Sequence, residues 1–408
     1  MIPVIYPLAV SLLDVGAIVL GLLLLFVALS IVVLSMVWLE RKALGRLQLR
    51  LGPTRTGPMG LLQPIADALK LVLKEDITPN NSDKAIFWVA PVIVVISAFM
   101  IWVTIPGTKH LVVRNLELGL FYITAFAVVG ILGLVLAGWG SANKYGVLGG
   151  LRSAAQLISY EIPIILVVVA AAMLAQSLDL QEIVLAQDPI INVLILPLGM
   201  VILFVAGLAE VGRTPFDIYH AESEVVGGPF VEYSGAHWAV FFLAEYINTF
   251  AIAALVTILF LGGWLGPSVS LPLPSWLPFW LDWLRWFDPM PPGIVWFLIK
   301  VYAVVLVVFW VRGTFPRLRI DQLMAFAWKV MLPLAFYAIL IAGVYLFYDW
   351  PAWSLTLMSL VGLGVVGYLV YRRMVAPARR VAEIRARQEQ LQAQRRAARE
   401  ASQELQGV

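Results

Sequence analysis

Nine long apolar stretches run along the chain and are separated by shorter polar connections. Each stretch is close to the length of roughly 20 residues that an α-helix needs to cross a bilayer. Backbone groups inside hydrocarbon must form their hydrogen bonds internally, so each stretch is predicted to be a helix. The predicted spans are about residues 15–39, 85–106, 120–140, 160–177, 190–210, 237–263, 293–311, 330–348 and 353–371.

A different pattern between the first two spans predicts a helix that does not cross the membrane. Its polar residues, Asp67, Lys70 and Lys74, fall away from the face that carries its apolar ones. An amphipathic helix of this kind lies at a membrane interface or under a partner protein. The apolar face of this segment, residues 60–75, consists of Leu61, Ile65, Leu69, Val72 and Leu73.

Composition supports a membrane protein and excludes several redox centres. The 408 residues are 61% hydrophobic and only 13% charged, too little charge to coat a soluble core. The absence of cysteine excludes disulfides, iron–sulfur clusters and thiolate zinc sites in this chain. The chain contains only three histidines, His110, His220 and His237, which argues against a haem site with paired histidine ligands from two helices. We therefore expect an all-α polytopic transmembrane protein without a metal or redox centre of its own.

The distribution of basic residues predicts the orientation. With nine spans, 24 of the 28 Lys and Arg residues fall on one side of the membrane, and only Lys109, Arg114, Arg285 and Lys300 fall on the other. Basic residues stay on the cytoplasmic side, so the N-terminus is predicted outside and the C-terminus inside. The Trp- and Pro-rich stretch 264–292 would then lie outside, as an interfacial aromatic belt.

The C-terminal residues form a separate region in this scheme. Residues 1–371 are predicted to be the transmembrane domain, and residues 372–408 a charged cytoplasmic tail, rich in Arg, Glu, Gln and Ala. The tail is either a solvated helix near anionic headgroups or a docking segment for a soluble partner.

Acidic residues lie where the membrane makes charge costly, which usually marks function. Glu161 is predicted to open the fourth span, and Glu245 lies inside the sixth. Closely spaced carboxylates in a partly dry place share protons, as a proton relay requires. The alternatives are an ordinary loop with surface ion pairs and, for Glu245, a pair with a neighbouring helix. The main acidic cluster, residues 209–235, contains Glu210, Asp217, Glu222, Glu224 and Glu232.

Two basic clusters have a specific shape as well as charge. In residues 40–55, Glu40 stands at the membrane edge among basic residues, and glycines and Pro53 shape the following loop. In residues 312–323, Pro316 and Asp321 indicate a structured turn. Anchoring by positive charge on the cytoplasmic side explains part of both clusters.

Four stretches of this sequence resemble the H subunit of bacterial complex I, the NADH-quinone oxidoreductase. They occur in the order found in that family and spread from residue 40 to about residue 335. The stretches are Glu40-Arg-Lys with Gln48-Leu-Arg-Leu-Gly-Pro53, then Gly150-Leu-Arg-Ser-Ala-Ala-Gln-Leu-Ile-Ser-Tyr-Glu161, then Ala209-Glu210 through Ser234, and Arg312-Gly-Thr-Phe-Pro-Arg-Leu-Arg319 with Asp321-Gln-Leu323.

The resemblance implies a role in proton-translocating quinone reduction in the bacterial inner membrane. The subunit would form part of a cavity for ubiquinone or menaquinone, its substrate. Iron–sulfur clusters and flavin would belong only to partner subunits. The implied partners are peripheral-arm subunits, small membrane subunits, antiporter-like pump subunits and the lipid bilayer, with no nucleic acid. The implied proton-relay acids are Glu161, Glu210, Asp217, Glu222, Glu224 and Glu245, and the residues near the cavity are Arg41, Arg46 and Arg213.

One residue departs from the family pattern, and other functions remain open. His220 stands where relatives usually have Glu; a histidine can also relay protons, but it carries the opposite charge when protonated. A related subunit also serves membrane-bound hydrogenases and complexes fed by ferredoxin. A free-standing secondary transporter, whose acids bind a coupling ion, is the alternative of another class.

Overall fold

The structure, a computed structural model, describes residues 12–218, 222–266, 292–348, 350–372 and 387. These residues form α-helices with short 3-10 and π segments, and the described ranges contain no β-strand. The helices are α1 (Leu12–Leu47), α2 (Gln63–Leu73), α3 (Lys84–Ile101), α4 (Gly119–Gly140), α5 (Lys144–Ala175), α6 (Leu180–Leu185), α7 (Asn192–Ile195), α8 (Pro197–Glu210), α9 (Glu222–Val225), α10 (Gly235–Phe260), α11 (Gly293–Thr314), α12 (Ile320–Phe326), α13 (Leu332–Tyr348) and α14 (Ala352–Val370).

Eight helical segments in the described residues are long and apolar enough to cross a bilayer. They are α1, α3, α4, α5, α10, α11, the segment Ile320–Tyr348 that joins α12 to α13, and α14. Apolar helices of this number and length confirm the prediction of an all-α polytopic membrane protein. The orientation of the spans stays a prediction.

The predicted fifth span, residues 190–210, is broken into two helices. Leu196 has non-helical backbone angles between α7 and α8, and Pro197 occupies the first position of α8. Proline suits that position because its missing N–H has no intrahelical acceptor there. At 14 residues, α8 is about 21 Å long at 1.5 Å per residue, shorter than the hydrocarbon core of about 30 Å.

The fourth span starts earlier than predicted. Helix α5 begins at Lys144, where the side chain of Asn143 accepts a hydrogen bond from the N–H of Tyr145 at 2.9 Å. A Cβ atom on Gly138 of α4 would lie 2.5 Å from the carbonyl oxygen of Gly146, so the two helices meet backbone to backbone. Glu161 therefore lies in the middle of a 32-residue helix and does not open a span.

Helices α5 and α10 form the centre of the fold. Helix α5 packs against α4, α8 and α13, whereas α10 packs against α3, α8 and α11. Both central helices bury most of their surface, while α1 leaves a wide apolar face exposed, including Leu20, Leu23 and Leu24. The exposed apolar face of α1 suits contact with lipid, and the buried helices carry the polar side chains described below.

Polar side chains hold the end of α10 that is predicted to lie outside. Lys300 Nζ donates hydrogen bonds to the carbonyls of Leu261 at 2.6 Å, Gly263 at 3.1 Å and Leu265 at 2.5 Å. Gln187 Nε2 donates to the carbonyl of Ile258 at 2.7 Å. Ile258 lies in the last turn of α10, whose carbonyls have no intrahelical donors, while Lys300 binds carbonyls at and just after the end of the helix. These side chains therefore join the end of α10 to the segment that follows it.

Helix α2 has the amphipathic character predicted for residues 60–75. Its apolar residues Ile65, Leu69 and Val72 are exposed, and Asp67 forms an ion pair with Arg41 of α1 at 2.6 Å. The apolar face is thus free to meet lipid or another subunit, while the ion pair ties α2 to α1.

The chain divides into two units, residues 1–356 and 357–408. The first unit contains α1 to α13 and the beginning of α14, and the second contains the rest of α14. Most of the Trp-rich stretch 264–292 and nearly all of the predicted tail, residues 372–408, lie outside the described residues.

Candidate functional site

One buried side chain holds both the last turn of α8 and the loop that follows it. Gln156 Nε2 on α5 donates to the carbonyl of Ala209 at 2.7 Å and to that of Phe216 at 2.8 Å. The segment after α11 also contributes, because the N–H of Leu318 donates to the carbonyl of Pro215 at 3.1 Å. Residues 209–216 are therefore fixed to the centre of the fold.

Arg213 occupies the middle of this loop and forms a buried charge cluster. Its side chain is 4% exposed, with Nε 3.3 Å from Glu245 Oε1 and Nη1 3.8 Å from Glu40 Oε2. Its guanidinium lies over the ring of Tyr246, 4.2 Å from the ring centre. Glu40 also accepts hydrogen bonds from Tyr246 Oη at 2.5 Å and from Arg312 Nη1.

The cluster of Glu40, Arg213, Glu245 and Arg312 is neutral as a whole, with two cations and two carboxylates. Burial by itself lowers the pKa of Arg213, but Glu245, Tyr246 and Glu40 more than offset this and raise the pKa above its ordinary value. Arg213 is therefore positively charged at any physiological pH. Buried charges are tolerated when they are paired in this way.

An open cavity of about 1310 Å³ lies against this cluster. Its volume exceeds the roughly 300–1,000 Å³ of ordinary ligand pockets, so it can hold an aromatic ring and part of a long tail. Its walls combine cationic and aromatic side chains with carboxylates. They include Glu40, Arg41, Arg213, Asp217, Arg312 and Arg317, with the rings of Phe230, Tyr233, Trp238, Phe241, Phe242 and Tyr246.

A second, narrow cavity of about 90 Å³ lies among α3, α4, α5, α8 and α10. Most of its lining is apolar, and its charged or amide side chains are Glu161, Glu210, Glu245 and Asn248. Glu161 is 6% exposed, and its Oε2 has no hydrogen-bond donor in the described chain. A concentration of carboxylates in an apolar cavity allows protons to be held and exchanged among them.

Glu245 lines both cavities, as do the rings of Phe230 and Phe241. The loop after α8 also reaches both, because Glu210 and Val211 face the narrow cavity while Arg213 and its neighbours face the open one. The side chain of Glu245 thus borders both cavities.

The predicted site residues divide into groups. Glu161, Glu210 and Glu245 come together at the narrow cavity, although they are far apart in sequence. Asp217 lines the open cavity and pairs with Arg317 at 3.1 Å. Glu224 is exposed and pairs with Arg152 at 2.7 Å. Glu222 lies in α9 with its side chain outside the described residues, which also exclude His220.

The three predicted cavity arginines also separate. Arg41 and Arg213 line the open cavity. Arg46 is exposed at the end of α1 and is not among the residues that line this cavity.

The sequence alone did not single out Tyr246, Asn248, Arg312 and Arg317 as site residues. Asn248 follows Glu245 by three positions, so both lie on one face of α10, which is a signal available from the sequence. Arg312 contacts Glu40 across 272 residues of chain, and no local pattern predicts such a pair.

Comparisons with known proteins show the family of this chain. A family model described as NADH dehydrogenase matches residues 20–343. The H subunit of NADH-quinone oxidoreductase from Brevibacillus brevis is 47% identical over 310 residues, 76% of this chain and 87% of that protein. The H subunits from Dehalococcoides mccartyi (strain CBDB1) and Geobacillus thermodenitrificans are 44% and 46% identical over 72% and 75% of this chain, and 77% and 87% of their own lengths. This chain therefore belongs to the NADH dehydrogenase family, among the H subunits of NADH-quinone oxidoreductases.

Proposed function

We propose that this chain is the membrane subunit of a proton-translocating NADH-quinone oxidoreductase, complex I, in the bacterial inner membrane. It would form part of the quinone cavity and pass the effect of quinone reduction to acids within the membrane. The names of the relatives support the assignment to this complex. The two cavities that share Glu245 support a separation between quinone binding and proton transfer.

The open cavity is the proposed quinone site. Its aromatic rings suit stacking against a quinone ring, and its arginines suit hydrogen bonds to the quinone oxygens. Arg213 Nη2 is buried and has no acceptor in the described chain, so it keeps donors for such an oxygen. Arg41 lies where α1 meets α2, beside the exposed apolar face that would guide an isoprenoid tail from the lipid. Arg46 would lie near the cavity only in the assembled complex.

The narrow cavity is the proposed start of the proton relay. Electrons would arrive from an iron–sulfur cluster of a peripheral-arm subunit and leave negative charge on the quinone, which takes up protons to become quinol. That charge acts through Arg213 on Glu245, and Glu245 exchanges protons with Glu210 and Glu161. Asp217, Glu222 and Glu224 would supply protons from the loop side. The presence of Glu245 in the lining of both cavities carries this proposal.

The proposed partners follow from the same arrangement. Peripheral-arm subunits would cover the open cavity and the basic loop after α1, whose Arg46 and Arg50 are exposed. Small membrane subunits and antiporter-like pump subunits would continue the proton route beyond Glu161.

The test is to change Glu245 or Glu210 to Gln in the intact complex, with Glu182→Gln as the control. Glu182 is an exposed acid of α6, away from both cavities. We expect Glu245→Gln and Glu210→Gln to lower quinone reduction and proton uptake in membrane vesicles, while electron transfer to an artificial acceptor of the peripheral arm persists. Normal quinone reduction and normal pumping in both cavity variants would contradict the proposal.

A further inference from the structure

Asn248 places a non-titrating amide among the acids of the narrow cavity. It lies on α10 three residues after Glu245, nearly one helical turn further along, and lines the same cavity as Glu161 and Glu210. An amide is costly in an apolar wall unless a hydrogen bond satisfies it. The side chain of Asn248 therefore requires a hydrogen-bond partner in this cavity.

Two acceptor oxygens in this cavity are buried without a donor from the described chain. They are Asn248 Oδ1 and Glu161 Oε2. The hydroxyls that line the cavity are already engaged, since Ser97 Oγ donates to the carbonyl of Val94 at 2.8 Å and Thr124 Oγ1 donates to that of Phe121 at 2.9 Å. Leaving a buried acceptor unsatisfied is unfavourable, so the donor has to come from outside the described residues, and water is a donor small enough for this cavity.

We propose that Asn248 is a positioning residue that holds water between Glu245 and Glu161. The cavity volume of about 90 Å³ accommodates a few molecules, since one water occupies about 30 Å³ in the liquid. A water that donates to Asn248 Oδ1 is fixed in orientation and keeps its other hydrogen and its lone pairs for the two carboxyl groups. The inference rests on the proposed function, because it specifies how a proton crosses the cavity.

The transfer balances without any change in Asn248. The protonated carboxyl of Glu245 gives its proton to the water oxygen as that water gives one of its own protons to the carboxylate of Glu161. The O–H bond of Glu245 breaks as a new O–H bond forms on the water. An O–H bond of the water breaks as one forms on Glu161, so the water is regenerated. The amide only orients the water, so its loss slows the transfer without removing an acid.

The test uses two substitutions of Asn248 in the intact complex. Asn248→Leu has a similar size, fills the space and offers no acceptor, whereas Asn248→Ser keeps a hydroxyl and leaves room for water. We expect Asn248→Leu to lower the kcat of quinone reduction and the rate of pumping roughly tenfold, which corresponds to about 1.4 kcal/mol and is the size of one hydrogen bond. The KM for quinone should stay the same, the solvent deuterium isotope effect should rise, and Asn248→Ser should recover most of the lost rate.

Three results would overturn the inference: an unchanged kcat in Asn248→Leu, a change confined to KM, or equal impairment of Asn248→Ser. If Asn248→Leu does not assemble, the smaller Asn248→Val takes its place with the same expectations. Glu245→Gln in the same strain separates the two proposals. Normal activity of Asn248→Leu together with impaired activity of Glu245→Gln refutes only the role of Asn248 in holding water. Normal activity of both variants refutes the proposed function as well.

Discussion

Removal of Arg213 should destabilise the protein through the charges that it leaves behind. Arg213 is almost fully buried and contacts the carboxylates of both Glu40 and Glu245. Arg213→Met keeps much of the side-chain volume but changes the neutral cluster into one with a net charge of −1. The remaining cation, Arg312, contacts Glu40, so Glu245 loses the counter-charge of Arg213.

The expected cost is large for a single substitution. Breaking a buried ion pair by removing one partner costs about 3–5 kcal/mol, because an uncompensated charge stays buried. The matched control is Arg317→Met, which removes an arginine that is 39% exposed and pairs with Asp217. An exposed pair contributes about 0–1 kcal/mol, so the control should stay close to the wild type.

The assay is the apparent melting temperature of the intact, detergent-solubilised complex, followed by loss of the assembled species on native electrophoresis. We expect Arg213→Met to melt well below the wild type and below Arg317→Met. The double variant Arg213→Met/Glu245→Gln removes one charge of each sign, so it should recover much of the loss. A wild-type melting temperature for Arg213→Met, or a double variant less stable than the single one, would refute the reasoning.

Two further substitutions test the packing that positions the acids. Gln156→Leu removes the hydrogen bonds from Gln156 to the carbonyls of Ala209 and Phe216, at about 0.5–1.5 kcal/mol for each bond lost. The variant should lower both the melting temperature and quinone reduction, and a wild-type result for both would contradict this role of Gln156. Gly149→Ala places a Cβ atom 2.4 Å from the Cα of Gly228, so it should reduce the amount of assembled complex by a strain of about 1–3 kcal/mol. Gly343→Ala, whose nearest neighbour would be 3.6 Å away, is the control, and equal assembly of the two variants on native electrophoresis would contradict the close contact.

The sequence predicted the spans well where hydrophobic length alone decides them. Helices such as α4 and α11 match the predicted ranges closely, because a run of apolar residues of bilayer length has few other solutions. The prediction of one continuous fifth span was wrong, because the helix breaks at Leu196 and a new helix begins at Pro197. That proline was visible in the sequence. The start of α5 was also missed, since Gly146 and its neighbours favour helix only through their close contact with α4.

The candidate site was only partly predictable for a related reason. Glu161, Glu210 and Glu245 stood out in the sequence because they are acids within or beside apolar stretches. Such positions are informative because burying a charge in the membrane is costly, and such a charge is usually retained for function. The contacts of Glu40 with Arg312 and of Gln156 with the loop join residues distant in the chain. Periodicity carries no information about such pairs, because they depend on which helices become neighbours.

The polar side chains at the C-terminal end of α10 limit how that helix can move during turnover. Gln187 and Asn192 donate to the carbonyls of Ile258 and Leu259 in the last turn of α10, and Lys300 donates to three carbonyls at and just after its end. A lengthwise shift of the helix would therefore break several hydrogen bonds at once. We therefore expect α10 to keep its position along its own axis through the catalytic cycle. Displacement at the carboxylate of Glu245 would then come from rotation of side chains and from the neighbouring loop.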